Sequence, residues 1–139
     1  MRTSKIFVTV DTVIFKKRAS DYHILFIKRK NDPFKGKWAL PGGFVDENED
    51  LPDAANRELF EETRVKVARL EQLGAFGKPG RDPRQHVVSI AFTGFAEEDT
   101  NAIAADDADE AKWFSIKALP ELAFDHVEIV KLALDKHKL

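Results

Sequence analysis

The segment Gly43–Val65, GFVDENEDLPDAANRELFEETRV, constrains this chain more tightly than any other. It spaces one glycine, one arginine and four glutamates as G-x5-E-x7-R-E-L-x-E-E. On a helix, Glu58, Glu61 and Glu62 fall at i, i+3 and i+4 and share one narrow face. Like charges at i and i+4 repel by roughly 0.2–0.5 kcal/mol on an isolated helix, so the stripe is unfavourable unless a cation sits against it. Oxygen-only donors favour Mg²⁺ or Mn²⁺ over zinc or copper. A solvated acidic face is the other fate of such a run; the accompanying spacing of Gly43, Glu49 and Arg57 argues against it. Arg57, i+4 from Asp53 and i−4 from Glu61, is placed to orient carboxylates. Glu49 is a further ligand or a support, and Gly43 lets the backbone pass close to an ion.

The rest of the chain supplies a sheet for this helix. Ile6–Phe15 and Tyr22–Lys28 read as antiparallel strands joined through Lys16–Asp21, and Trp38–Leu40 as a short strand broken at Pro41-Gly42-Gly43. Asp50 is the expected N-cap, with Pro52 in the first turn, of a helix running to Thr63. Its other face, Leu51, Ala55 and Leu59, would dock on the sheet. Val65–Phe76, His86–Ala96 and Lys112–Ile116 read as further strands, and Glu97-Glu98-Asp99 as a hairpin tip. An apolar stripe of Val127, Val130 and Leu134 marks a terminal helix within Asp125–His137. Strands interrupted by two helices give an α+β class, arranged as an α/β/α sandwich.

At 139 residues the expectation is one domain over 1–139. A net charge of −2 gives no electrostatic argument for nucleic acid. The absence of cysteine excludes a disulfide scaffold and a thiolate zinc site. The N-terminus lacks a signal-like apolar region, and no apolar run approaches the ~20 residues of a membrane span. The expected location is therefore cytoplasmic.

The spacing of Gly43, Glu49, Arg57, Glu58, Glu61 and Glu62 resembles the signature of the Nudix hydrolases, which cleave nucleoside diphosphates linked to another group. One position departs from it: Arg64 stands where the family usually has glycine. Arg64 must take up a left-handed conformation or end the helix differently. Together with Trp38–Gly43, the stretches Gly80–Arg84 (GRDPR) and Leu122–His126 (LAFDH) resemble one branch of that family. It contains ADP-ribose pyrophosphatases and the sensor domains of Nudix-related regulators of NAD metabolism. The resemblance implies a mixed sheet between helices, with Mg²⁺ or Mn²⁺ held by Glu58, Glu61, Glu62 and Gly43. It further implies that Arg57 braces the glutamates, that Arg81 and Arg84 contact the diphosphate or terminal ribose, and that the protein is a homodimer.

The resemblance implies hydrolysis of ADP-ribose to AMP and ribose 5-phosphate, which needs a carboxylate to take the proton of the attacking water. Glu58 and Glu62 on the helix, or a loop acid within Asp106–Glu110, with Glu110 foremost, are the candidates. Arg29 and Lys37 precede the signature and are candidate phosphate contacts or solvated charges. Phe34, Phe76 or Phe124 would stack on adenine or pack in the core, and His126 would cap or pack the last helix. The rival functions are an ADP-ribose-sensing domain of a transcriptional regulator, in a truncated chain, and a house-cleaning nucleoside triphosphate pyrophosphohydrolase.

Overall fold

Strand β1 (Phe7–Arg18) carries eight consecutive buried residues, Thr9 to Lys16, because the sheet is covered on both faces where this strand crosses it. The computed structural model describes residues 3–139; Met1 and Arg2, part of the expected 1–139 unit, lie outside them. The elements after β1 are β2 (Asp21–Arg29), β3 (Trp38–Ala39), β4 (Gly42–Phe44), α1 (Leu51–Thr63), β5 (Glu71–Phe76), β6 (Val87–Ala96), β7 (Ala108–Ser115) and α2 (His126–His137). The sheet has seven strands in the order β3-β2-β1-β6-β5, with β4 paired to β1 and β7 to β2. Among the described strand pairs, only β1 and β6 run parallel, from Phe7 opposite Val87 to Lys16 opposite Ala96, which makes the sheet mixed.

Alternation along β1 sorts the core into two layers. Val13 and Phe15 join Phe26, Ile129, Val130 and Ala133 under α2. Val10 packs with Ala54 and Ala55, and Ile14 with Leu25, Leu59 and Val65, under α1. The expected α/β/α sandwich is what forms. Among the described residues, no helix is long and apolar enough to cross a membrane.

Helix α1 begins as anticipated, with Asp50 accepting from the Leu51 amide at 2.8 Å and a proline in the first turn. It ends on Arg64 in the left-handed region (φ 61°, ψ 13°), whose N–H reaches the Phe60 carbonyl at 2.8 Å. Of the two endings open to a chain lacking glycine there, the left-handed one is taken.

Four strand expectations need correction. Val65–Phe76 is a strand only from Glu71; Val65 is buried against Ile14 and Leu59, and Val67 and Leu70 pack on the same cluster. Pro41-Gly42-Gly43 does not merely break a strand, since Gly42–Phe44 pairs with β1 as β4. β7 starts at Ala108, because pairing with β2 continues past a bulge at Lys28/Arg29. Glu97-Glu98-Asp99 is an exposed turn but not a hairpin tip: β6 pairs with β1 and β5, whereas β7 pairs with β2.

Candidate active site

Beside the central strand β1, the chain opens into a cleft of about 220 Å³. Its floor is Asp11 of β1, the Gly42-Gly43 backbone of β4 and Glu62 of α1. Its walls carry Arg29, Arg81 and Arg84, with Phe44, Phe124 and Asp107 also lining it.

Glu62 reaches that floor because it continues the apolar stripe of Leu51, Ala55 and Leu59 onto the buried side of α1. It is 6% exposed and accepts one hydrogen bond, from the Gly42 amide at 2.8 Å. Burial, opposed only in part by that bond, pushes its pKa up to about 8. Glu58 is also raised, by burial first, against the pull of Arg57. Its carboxyl lies against Gly43, where a Cβ would stand only 2.6 Å from it, so the close approach requires glycine. Glu61 faces outward with its side chain 41% exposed.

Arg57 gathers the outer carboxylates. Its Nε donates to Glu49 at 2.6 Å, its Nη1 to Glu58 at 2.9 Å and Glu61 at 3.3 Å, and its Nη2 to Glu49 and the Phe44 carbonyl. The hydrogen bond from Arg57 is the main reason the Glu49 pKa falls to about 2. The three helix glutamates therefore do not share one environment, as their spacing alone suggested. Among the described residues, no group of three acidic or imidazole side chains converges as a ready-made metal cage, since Arg57 holds Glu58 and Glu61 while Glu62 turns to Gly42. The donor set nevertheless fits a hard divalent cation. It is all oxygen, and it includes a buried carboxylate, Glu62, that forms no ion pair among the described residues.

The arginines are already oriented. Arg81, with its side chain 5% exposed, grips Asp125 through Nε at 2.9 Å and Nη2 at 2.7 Å. Arg84 grips Asp82 in the same forked way and lies over the Phe44 ring at 5.4 Å. Arg29 donates to the Pro33 carbonyl and lies over Phe124 at 5.1 Å. Burial first, and then the charge of Arg84, holds Arg29 below its ordinary pKa. An anion between these guanidinium groups would relieve that repulsion.

Of the candidates, Glu58 and Glu61 stand outside the cleft lining on the Arg57 side, and Lys37 and Glu110 are not brought to the cleft at all. Lys37 is exposed and engaged through its backbone, its carbonyl accepting from the Arg29 amide and its N–H donating to the Phe34 carbonyl. Glu110 lies in β7, not in a loop, and pairs with Lys28 at 3.3 Å with its side chain 56% exposed. Asp107 is the acid of that run that lines the cleft. Phe76 packs on the core under α2, whereas Phe34 and Phe124 meet at 4.6 Å beside the cleft. Asp11 and His126 were not expected at the site. Asp11 had a signal, being a lone charge inside the apolar run of the central strand; His126 had only its place in LAFDH.

The NUDIX domain model matches residues 5–133. An ADP-ribose pyrophosphatase of Methanocaldococcus jannaschii is 48% identical over 124 residues, covering 89% of this chain and 70% of that protein. The ADPR responsive transcriptional repressor NtrR of Acinetobacter baylyi is 35% identical over 130 residues, but this chain spans only 52% of its length. Among solved structures, the NUDIX domain of Shewanella oneidensis NrtR complexed with ADP ribose superposes with a TM-score of 0.91 at 32% identity, covering 96% of this chain and 90% of that one. The family model spans nearly the whole chain, and relatives in sequence and in structure cover it as fully: this protein belongs to the Nudix family.

Proposed function

We propose that the chain, acting as one Nudix domain over residues 1–139, hydrolyses the diphosphate bond of ADP-ribose to AMP and ribose 5-phosphate with Mg²⁺ or Mn²⁺. The observation that carries this is a cleft pairing a buried, cation-seeking carboxylate on its floor with three oriented arginines on its walls. Similarity to the M. jannaschii pyrophosphatase and to a domain complexed with ADP ribose supports the choice of substrate.

Glu58, Glu61, Glu62 and the Gly43 backbone would hold the cation. Once bound, a divalent ion neutralises diphosphate oxygens and favours deprotonation of a nearby water. The chain's own residues do the rest. Arg81 and Arg84, held in place by Asp125 and Asp82, present their remaining N–H donors to the diphosphate. Arg57 fixes Glu58 and Glu61, so that the charged face does not spread before substrate arrives. Asp107, or Glu58 on the helix, accepts the proton as water attacks phosphorus and the bridging oxygen leaves with the second phosphate.

AMP release from ADP-ribose with Mg²⁺, compared with ADP-glucose, NADH, diadenosine polyphosphates and nucleoside triphosphates, tests the assignment. Preferential, chelator-sensitive cleavage of ADP-ribose is expected; preference for a nucleoside triphosphate would replace it. ADP-ribose binding without turnover would favour the sensor role, for which the repressor similarity speaks. The proposal includes a homodimer, supported by exposed Ile6, just before β1, and Phe7 and Val8 at its start. A sedimentation mass of 15.7 kDa would contradict that part.

A further inference from the structure

The stretch Leu122–His126 is singled out by the sequence, yet hydrolysis as derived above gives a task only to Asp125, which holds Arg81. It enters α2 through an unfavourable backbone, with Phe124 at φ 53° in the left-handed region. Such a conformation persists where surrounding contacts over-determine it. The two side chains that follow supply those contacts, one to Arg81 and the other to Leu40.

Asp125 takes both bonds from Arg81, across 44 residues, and thereby fixes the plane of a guanidinium that lines the cleft. His126, 4% exposed, reaches the opposite way: its Nδ1 accepts the Leu40 amide at 3.0 Å across 86 residues. With Nδ1 accepting, the ring proton sits on Nε2, which faces Asp11 Oδ1 at 3.5 Å. Asp11 is itself held by the Ser89 hydroxyl at 2.5 Å. Two residues beyond Leu40, Gly42 gives its N–H to Glu62. The segment has no slack, because a Cβ on Gly42 would stand 2.1 Å from the Val10 carbonyl and 2.6 Å from Asp11 Oδ1.

We propose that Asp125 and His126 form a positioning clasp at the start of α2, in which Asp125 aims Arg81 and His126 fixes Leu40–Gly43, and with it the amide that orients Glu62. His126 touches no reacting atom in this role; it acts through backbone. Burial, outweighing the Asp11 charge, keeps the imidazole below its ordinary pKa and so in the neutral form that an acceptor nitrogen requires. The clasp rests on the hydrolytic role proposed for the cleft.

The test measures kcat and KM for ADP-ribose in the full chain carrying His126→Leu or His126→Asn, alongside amide exchange at Leu40 and Gly42. Leucine leaves the Leu40 N–H without an acceptor; asparagine returns one close to the Nδ1 position. Expected are a kcat loss of about 10–100-fold in the leucine variant at nearly constant KM, faster exchange at both amides, and recovery of most of both in the asparagine variant. Equal losses in the two variants, or a raised KM at unchanged kcat, would overturn the clasp, the latter by making His126 a substrate contact. Should the leucine variant not fold, the asparagine variant and the ¹⁵N resonances of the wild-type imidazole decide: an unprotonated Nδ1 supports the clasp and a protonated one overturns it. Asp125→Asn should raise KM about tenfold and leave Leu40 exchange alone; an unchanged KM removes the Arg81 arm. If wild type does not cleave ADP-ribose, the hydrolytic role falls by itself, and the exchange and ring resonances still judge the clasp.

Discussion

Glu49 and Glu62 are both signature glutamates of one loop–helix unit, yet the protein treats them in opposite ways. Glu49 lies against Arg57, which takes both its oxygens, and its pKa sits at about 2. Glu62 lies on the buried side of α1 with one backbone amide for company, and its pKa is pushed up to about 8. The braced carboxylate stabilises the chain as it stands. The buried one is disfavoured as a charge until something positive arrives, and burial without a partner is how a fold reserves a site for a cation or an anionic substrate's counterion.

The strongest way to break that contrast is Glu62→Gln, which keeps the shape and removes the charge. Metal-dependent turnover should fall by about a hundredfold or more, while thermal unfolding in chelator stays at or above the wild-type midpoint. Wild-type turnover in this variant would show that the buried carboxylate is not part of the metal site. Arg57→Ala attacks the other side. It frees Glu49, Glu58 and Glu61 together, and denaturant unfolding should show a loss of about 1–2 kcal/mol, discounted for partial exposure; an unchanged midpoint would reduce the brace to decoration.

Arg84→Ala should raise KM for ADP-ribose about tenfold with little change in the Mg²⁺ dependence, because Arg84 lines the cleft and pairs with Asp82, not with a glutamate of α1. Unchanged kinetics would remove that loop from the site. Arg64→Gly removes a side chain from the left-handed helix end and should stabilise by about 1 kcal/mol, read as a raised midpoint. A lower midpoint would mean that the Arg64 and Phe60 packing at 5.2 Å outweighs the backbone cost.

The subtlest test is the pH profile of stability in chelator, where the two glutamates carry opposite signs. Glu49, with its folded pKa depressed from 4.5 to about 2, contributes fully above about 4.5 and loses its contribution as pH falls toward 2. Glu62, raised from 4.5 to about 8, contributes below about 4.5 and loses its contribution as pH rises toward 8. The midpoints of wild type and Glu49→Gln should therefore converge on the acid side. Those of wild type and Glu62→Gln should separate on the alkaline side, with the variant higher. Parallel profiles would show that the two environments do not differ.

What the sequence made legible was local. Asp50 and Pro52 mark the start of α1 without help from the rest of the chain, and the apolar stripe of α2 does the same at the other end. Long-range pairing was not legible. β4 exists because Gly42–Phe44 lies beside β1, and β7 starts early because a bulge lets Ala108 pair with Arg29. That second feature also decides the loop acids, carrying Glu110 out to Lys28 and leaving Asp107 at the cleft. The split among Glu58, Glu61 and Glu62 had a signal that spacing among the glutamates hides: Glu62 follows Leu51, Ala55 and Leu59 around the helix.

The most direct measurement is AMP release from ADP-ribose as Mg²⁺ is titrated into metal-stripped protein, with chelator added back at the end. Saturable activation that chelator abolishes, and that Glu62→Gln does not show, is the expected result. Turnover that survives chelation, or ADP-ribose binding with no turnover at any Mg²⁺ or Mn²⁺ concentration, would contradict a metal-dependent hydrolase built on the buried glutamate.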